Sequence, residues 1–247
     1  MSADYSLVVP AYNEAPRLPA TLTRLREVMA SLPDRAGELI VTDNHSTDDT
    51  AAVARAHGAT VVFEPHRQIA RSRNAGARAA TGRYLFFVDA DVLVPPRLIP
   101  RSLELLDAGG VCGGGAEVTS APGTPPDVAR LAQFWNRLAR TMHCACGAYL
   151  FCRRDAFEAV GGFDERLYAA EEIRLSQRLK QWGRRHGQAF RLVAEPLDIT
   201  DSSVRKVQWF GRGGMVLVCL PLLLCPLLLR TRWACGLWYR RPKDGSR

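Results

Sequence analysis

The turn after the first apolar run, "PAYNEAPRLP" from Pro10 to Pro19, contains neither glycine nor lysine. A loop that wraps a triphosphate needs bare backbone N–H groups and a cation, so nucleotidyl transfer onto a sugar phosphate is the disfavoured alternative here. Internal repeats and long low-complexity segments are also missing, which excludes a solenoid or a disordered linker as the main architecture. The chain enters "YSLVVP" (5–10) with no positively charged lead and no apolar signal region, so a cytoplasmic location is expected. Its seven cysteines are scattered and odd in number, which fits reduced thiols better than a disulfide framework. "HCAC" (143–146) has no second ligand pair at usable spacing, so no zinc site is expected.

Net charge is missing from most of the chain. Residues 1–204 balance, and the whole excess of +8 lies beyond them, where nine basic residues face Asp244 alone. A neutral main domain argues against nucleic-acid binding. The longest apolar run, "MVLVCLPLLLCPLLL" (215–229), would reach about 22 Å as a helix, short of the roughly 30 Å hydrocarbon core, and Pro221 and Pro226 interrupt it. Basic residues flank it, and Trp209, Phe210, Trp233, Trp238 and Tyr239 border it. That composition suits a segment lying on or dipping into an anionic membrane face, peripheral on or anchored to the inner side; a buried helical hairpin closing the main domain is the alternative. The expected organisation is a main domain over 1–203 and a membrane-associating tail over 204–247. Within the domain a first half (1–118) and a second, less regular half (127–203) flank the loop "TSAPGTPPD" (119–127).

What is present is a regular alternation of strand and helix signals. "YSLVVPAYN", "ELIVTD", "TVVFEP" and "RYLFFVDADV" are apolar β-branched or aromatic runs. Between them lie "LPATLTRLREVMASL", with Leu18, Leu22, Leu25, Val28, Met29 and Leu32 at helical spacing, then "STDDTAAVARAHG" and "QIARSRNAGARAATG". Ser46 is a plausible N-cap for the second helix, and Gly58 its stop. The pattern predicts an α/β fold, a Rossmann-like, mainly parallel sheet with helices on both faces. Ligands in such sheets bind beyond the carboxyl ends of the strands, where Asp43 and Asp89 fall.

Asp89 and Asp91 follow a costly apolar strand. Strand side chains alternate with period two, so both are expected to project to one side, and two carboxylates together repel unless a cation lies between them or one stays protonated. They fit a divalent cation with an incomplete protein shell that phosphate oxygens complete. A solvated acidic turn is the plain alternative.

"VVPAYNE" (8–14), "IVTDNHSTDDT" (40–50), "RSRNAGARAATGRYLFFVDAD" (71–91) and "GGFDERLYAAEEIRLSQRLKQWG" (161–183) occur in this order. Together, across roughly residues 5–200, they resemble a family 2 glycosyltransferase of the GT-A fold. The resemblance implies that Pro10, Ala11, Tyr12 and Glu14 lie against the base and ribose of a nucleotide-sugar, and that Asp43 hydrogen-bonds the base. A carboxylate accepts from the N3–H of uracil, which makes a UDP-sugar the leading donor; an Asx turn is the structural alternative for Asp43. "TDNHS" stands where the family more often has "DDGS". Arg73 matches a position near the donor phosphates, with Arg71 and Asn74 beside it. Asp91 is matched to direct contact with Mn²⁺ or Mg²⁺, with Asp89 toward metal, ribose or sugar.

The family's catalytic base lies in an acidic pair opening a helix, here Glu171 and Glu172, with Glu172 in the place of the usual Asp. Both acids would also favour a helix N-terminus through its dipole. "GGFDE" (161–165) is expected to shape the floor of the acceptor pocket. The Gln-x-x-Arg-Trp signature of processive members is missing; "SSVRKVQWFG" (202–211) stands in its region, so one sugar per acceptor is expected. The implied activity is inverting transfer from a nucleotide-sugar donor to a hydroxyl acceptor, a sugar or a lipid-linked one. A catalytically degenerate nucleotide-binding membrane scaffold is the non-enzymatic alternative.

Overall fold

A computed structural model describes residues 3–119, 124, 126–145, 148–198 and 225–239. Seven strands form one sheet: β1 (Tyr5–Ala11), β2 (Gly37–Asp43), β3 (Thr60–Phe63), β4 (Tyr84–Val88), β5 (Val111–Thr119), β6 (Tyr149–Arg153) and β7 (Ala189–Asp198), in the order β3-β2-β1-β4-β6-β5-β7. The first four are parallel, β5 and β7 are parallel to each other, and β6 alone runs against its neighbours β4 and β5. The expected mainly parallel α/β sheet is therefore observed. The antiparallel β6 is an addition that alternation in the first half does not foretell.

The helices are α1 (Leu18–Ala30), α2 (Thr50–Ala56), α3 (Ile69–Ala79), α4 (Leu98–Asp107), α5 (Pro126–Met142), α6 (Arg154–Ala159), α7 (Glu171–Arg185) and a short α8 (Gly236–Tyr239), which follows a 3-10 turn at Pro226–Arg230. Period-two alternation sorts the strand residues into two layers. Tyr84, Phe86 and Val88 of β4 pack with Leu22 and Leu25 of α1 and Leu103 and Leu106 of α4. Leu85 and Phe87 pack on the opposite face with Ala70 and Ala77 of α3, Phe157 of α6 and Leu175 and Leu179 of α7. Each large side chain buried this way contributes about 1.5–3 kcal/mol. The same alternation directs Asp89 toward the α3/α7 layer, while Ala90 joins the opposite core.

Three local expectations need correction. The second helix begins only at Thr50, with Asp49 before it, so Ser46 caps nothing; its N–H and hydroxyl are used in the preceding turn. The third helix ends at Ala79 rather than running on to Gly82. It lies unusually close to the sheet, because a Cβ at Gly76 would clash with Val8 Cγ1 and stand 2.6 Å from Thr42 Oγ1. Strand β4 also stops at Val88, so both carboxylates of the Asp-x-Asp pair belong to the turn beyond it.

Candidate active site

The parallel strands end at one edge of the sheet, where Ala11 is in register with Asp43, and Asp43 with Phe63. The turns beyond β1 and β2 are knitted into one unit. The Asn13 N–H donates to Ser46 Oγ (3.0 Å), Thr47 N–H to Asn13 Oδ1 (2.8 Å), Glu14 N–H to Thr50 Oγ1 (2.9 Å) and Ala15 N–H to Asp48 Oδ2 (3.1 Å). The stretch "NHSTDDT" is thus largely spent on holding the first turn in place. Asp43 accepts the Ser46 N–H at Oδ1 (2.9 Å), the Asx geometry open from the sequence, and this leaves its other oxygen for a ligand. Asn44 donates to the carbonyls of Glu64 (3.2 Å) and His66 (2.6 Å), tying the turn after β3 to the same unit. Pro10, Ala11, Tyr12, Glu14 and Asp43 therefore lie together. Glu14 is buried and pairs with Arg17 at 3.7 Å, and the Arg67 guanidinium stacks 3.7 Å from the centre of the Tyr12 ring.

A charge cluster joins this edge to the second half. Arg73 on α3 is 6% exposed and forks between two carboxylates: Nη2 donates to Asp89 Oδ1 and Nη1 to Glu171 Oε1, each at 2.8 Å. Burial works against its charge, but Asp89, Glu171 and Glu172 outweigh burial and hold the guanidinium firmly protonated. Both terminal nitrogens are thereby engaged with carboxylates. Glu171 is itself 3% exposed, and burial raises its pKa even against the pull of Arg73. Glu172, one residue further into α7, is pushed up to about 8 by burial and then by the neighbouring Glu171 carboxylate. The helix N-terminus would by itself favour the charged form, so desolvation wins here.

Other residues of the third motif take structural parts. Asn74 donates to the Phe163 carbonyl (2.9 Å) and accepts the Phe163 N–H (3.0 Å), which clamps the "GGFDE" turn onto α3. That turn uses left-handed backbone at Gly161 (φ 76°) and Gly162 (φ 66°), where a side chain would be strained. Arg71 faces Glu165 (3.1 Å) and Glu64 (3.7 Å), an ion-pair network that Arg78 extends. Asp89 and Asp91, the pair matched to a metal, lie in the turn beyond β4, where Asp89 Oδ1 accepts from Arg73 Nη2. No cluster of three or more His, Cys, Asp or Glu side chains surrounds a point among the described residues. Two carboxylates are too few for an all-protein cage, and an ion held there would need its remaining oxygens from ligands outside the protein.

Residues that the motifs did not announce close the site from the far end of the chain. Residues 225–239 form a strap against the loop before α7. The Tyr168 N–H donates to the Leu229 carbonyl (2.7 Å), and Ala169, Cys235 and Tyr239 form a small buried cluster with Ile69, Tyr168, Leu228 and Leu229 around it. Tyr239 accepts the Ile69 N–H at its hydroxyl (3.2 Å), and its carbonyl accepts from Arg67 Nη2 (2.6 Å). About 170 residues separate these partners, and no spacing rule in the chain signals the contact. "SSVRKVQWFG" and most of the apolar run lie outside the described residues, as do Cys146 and most of the 119–127 loop.

A mainly parallel sheet whose carboxyl edge carries the joined turns after β1 and β2, an Asp-x-Asp turn and an acidic pair opening α7 defines a GT-A type domain. Residues 6–161 match Glycosyl transferase family 2, and the chain belongs to that family. An uncharacterised glycosyltransferase of Mycobacterium tuberculosis is 39% identical over 104 residues, 42% of this chain and 44% of that protein. The undecaprenyl-phosphate 4-deoxy-4-formamido-L-arabinose transferase of Klebsiella pneumoniae is 35% identical over 116 residues, 42% of this chain and 34% of that one. The matched stretch thus spans less than half the length of these curated relatives. Among solved structures, the mannosyltransferase PcManGT from Pyrobaculum calidifontis, in complex with GDP-mannose and Mn²⁺, superposes with a TM-score of 0.63. That alignment covers 96% of this chain and 73% of the other at 20% identity, a likeness of fold.

Proposed function

We propose that the protein is a metal-dependent, inverting glycosyltransferase that moves one sugar from a nucleotide-sugar to a hydroxyl acceptor, lipid-linked and presented at the cytosolic membrane face. The observation that carries this reading is the Arg73 fork, which ties the Asp-x-Asp turn to the helix start presenting Glu172. Donor and acceptor chemistry are thereby held at one point.

Pro10, Ala11, Tyr12 and Glu14 form the wall for base and ribose, and the open oxygen of Asp43 accepts a ring N–H. Uracil N3–H suits it first; guanine N1–H is the same kind of donor, and GDP-mannose is what the archaeal relative binds. Asp91, with Asp89, would hold Mn²⁺ or Mg²⁺, which when bound neutralises charge growing on the departing diphosphate. Arg73 holds Asp89 in place and sets positive charge beside the diphosphate. Glu172 takes the acceptor proton as the acceptor oxygen bonds to the anomeric carbon. The bond from that carbon to the diphosphate oxygen breaks on the opposite face, so the configuration inverts and nucleoside diphosphate leaves. A carboxylate with its pKa raised toward neutrality is a better base than one left near 4. The lipid-phosphate substrate in the Klebsiella relative's name favours an acceptor at a membrane. No helix among the described residues is long and apolar enough to cross a bilayer.

The test is calorimetric titration of UDP, GDP and dTDP with and without Mn²⁺, on the wild type and on Asp91→Ala. Metal-dependent binding that the substitution abolishes is expected. If no nucleotide binds in either condition, the transferase reading fails, and a membrane scaffold that has lost catalysis becomes the better account.

A further inference from the structure

The strap at residues 225–239 has two chemically different sides. Its inner side is bound to both halves of the site. Tyr239 holds the Ile69 N–H at the start of α3, the helix that carries Arg73, and holds Arg67, whose guanidinium covers Tyr12. Leu229 holds the Tyr168 N–H, three residues before Glu171. Tyr168 and Tyr239 also meet edge to face, with ring centres 5.4 Å apart.

Its outer side takes little part in that packing, although the Arg232 guanidinium carbon lies 5.7 Å from the centre of the Tyr239 ring. Leu227 and Trp233 are 68% and 70% exposed, Trp238 is partly exposed, and Arg230 and Arg232 are exposed beside them. No acidic residue occurs between positions 225 and 239. Exposed Trp and Leu beside arginines, in a segment with no acid of its own, match the apolar boundary and negative headgroups of an anionic bilayer. A protein partner of the same chemistry would need an acidic apolar patch; the lipid surface supplies both properties continuously.

We propose that this outer side docks on anionic lipid and that docking tightens the inner contacts, so that the turn bearing Tyr12 and the loop before Glu171 are held in place at the membrane. The strap then couples where the enzyme sits to how well its site is formed. A ligand that favours one arrangement of an element shifts everything bonded to it, and here two backbone N–H groups, those of Ile69 and Tyr168, report that shift. The effect on donor affinity rests on the transferase reading; docking and the response of the two amides do not.

The full chain is sedimented with vesicles of phosphatidylcholine alone and with vesicles containing phosphatidylglycerol. Sedimentation with the anionic vesicles is expected for the wild type and should be lost in Leu227→Ser/Trp233→Ala, which changes two exposed side chains; equal sedimentation of that variant would overturn the docking surface. Amide hydrogen exchange at Ile69 and Tyr168 should slow by about fivefold on anionic vesicles, the factor carried by one hydrogen bond of ordinary net strength. Tyr239→Phe should still sediment and lose the slowing at Ile69. Exchange that ignores the vesicles in the wild type would overturn the coupling. UDP affinity should rise by a similar factor on anionic vesicles. If the amides respond while no nucleotide binds under any condition, the transferase reading fails and the coupled strap stands.

Discussion

Replacing Arg73 by Met removes the cation at the centre of the site while keeping a long apolar side chain against Phe163, whose ring centre lies 5.3 Å from the guanidinium carbon. The two carboxylates left behind are not equivalent. The Asp89 side chain is 36% exposed and can rehydrate, whereas that of Glu171 is 4% exposed and cannot. Breaking a buried pair by removing one partner costs about 3–5 kcal/mol, and Glu171 carries most of that here. For a chain of this size each kcal/mol moves the midpoint by about 2–4 °C, so a fall on the order of 10 °C is expected at pH 8. The loss has a definite pH sign. Without Arg73 the buried acids bind protons more readily, so the variant recovers part of its deficit as pH falls toward 5 and Glu171 takes up a proton more easily than in the wild type. Differential scanning calorimetry at both pH values measures this, together with the double variant Arg73→Met/Glu171→Gln, which leaves no buried charge at position 171 and should recover more than half of the loss. A single variant within about 2 °C of wild type, or an identical loss in the Glu171→Gln background, would refute the argument that Arg73 is held by its pairing with Glu171.

Glu172→Gln separates stability from catalysis. A carboxyl raised to about 8 in the folded chain contributes stability that is full below the ordinary carboxylate range and lost as pH rises toward that value. Gln carries no such dependence, so the variant should melt above wild type at pH 8 and near it at pH 5, while sugar transfer disappears and nucleotide binding persists; calorimetry and a transfer assay decide it. Asp43→Asn keeps an oxygen to accept the Ser46 N–H and turns an N–H₂ toward the base site. UDP affinity should fall by about 10–100-fold, the cost of an unmade buried hydrogen bond, with little change in melting temperature; a large thermal shift instead would make Asp43 chiefly a turn residue.

The first four strands, the helices between them and the position of Asp89 at the carboxyl edge were legible because they depend on local periodicity, and periodicity is written residue by residue. Leu22, Leu25 and Val28 at helical spacing, and the five fully buried positions of β4, need no distant partner to be recognised. The four ordered motifs likewise identified the family. Tertiary structure alone decided what Arg73 does, since Asp89 and Glu171 lie 16 and 98 residues away from it. It also assigned Asn44 and Asn74 to clamping turns, and Arg71 to an ion-pair network with Glu64 and Glu165. Direct contact between Tyr239 and the start of α3 spans 170 residues. A side chain's hydrogen-bonding capacity can be read from its type. Which of many equivalent partners it meets is settled only when the sheet order brings distant segments to one edge, and so the chain alone named the family while folding selected the pairings.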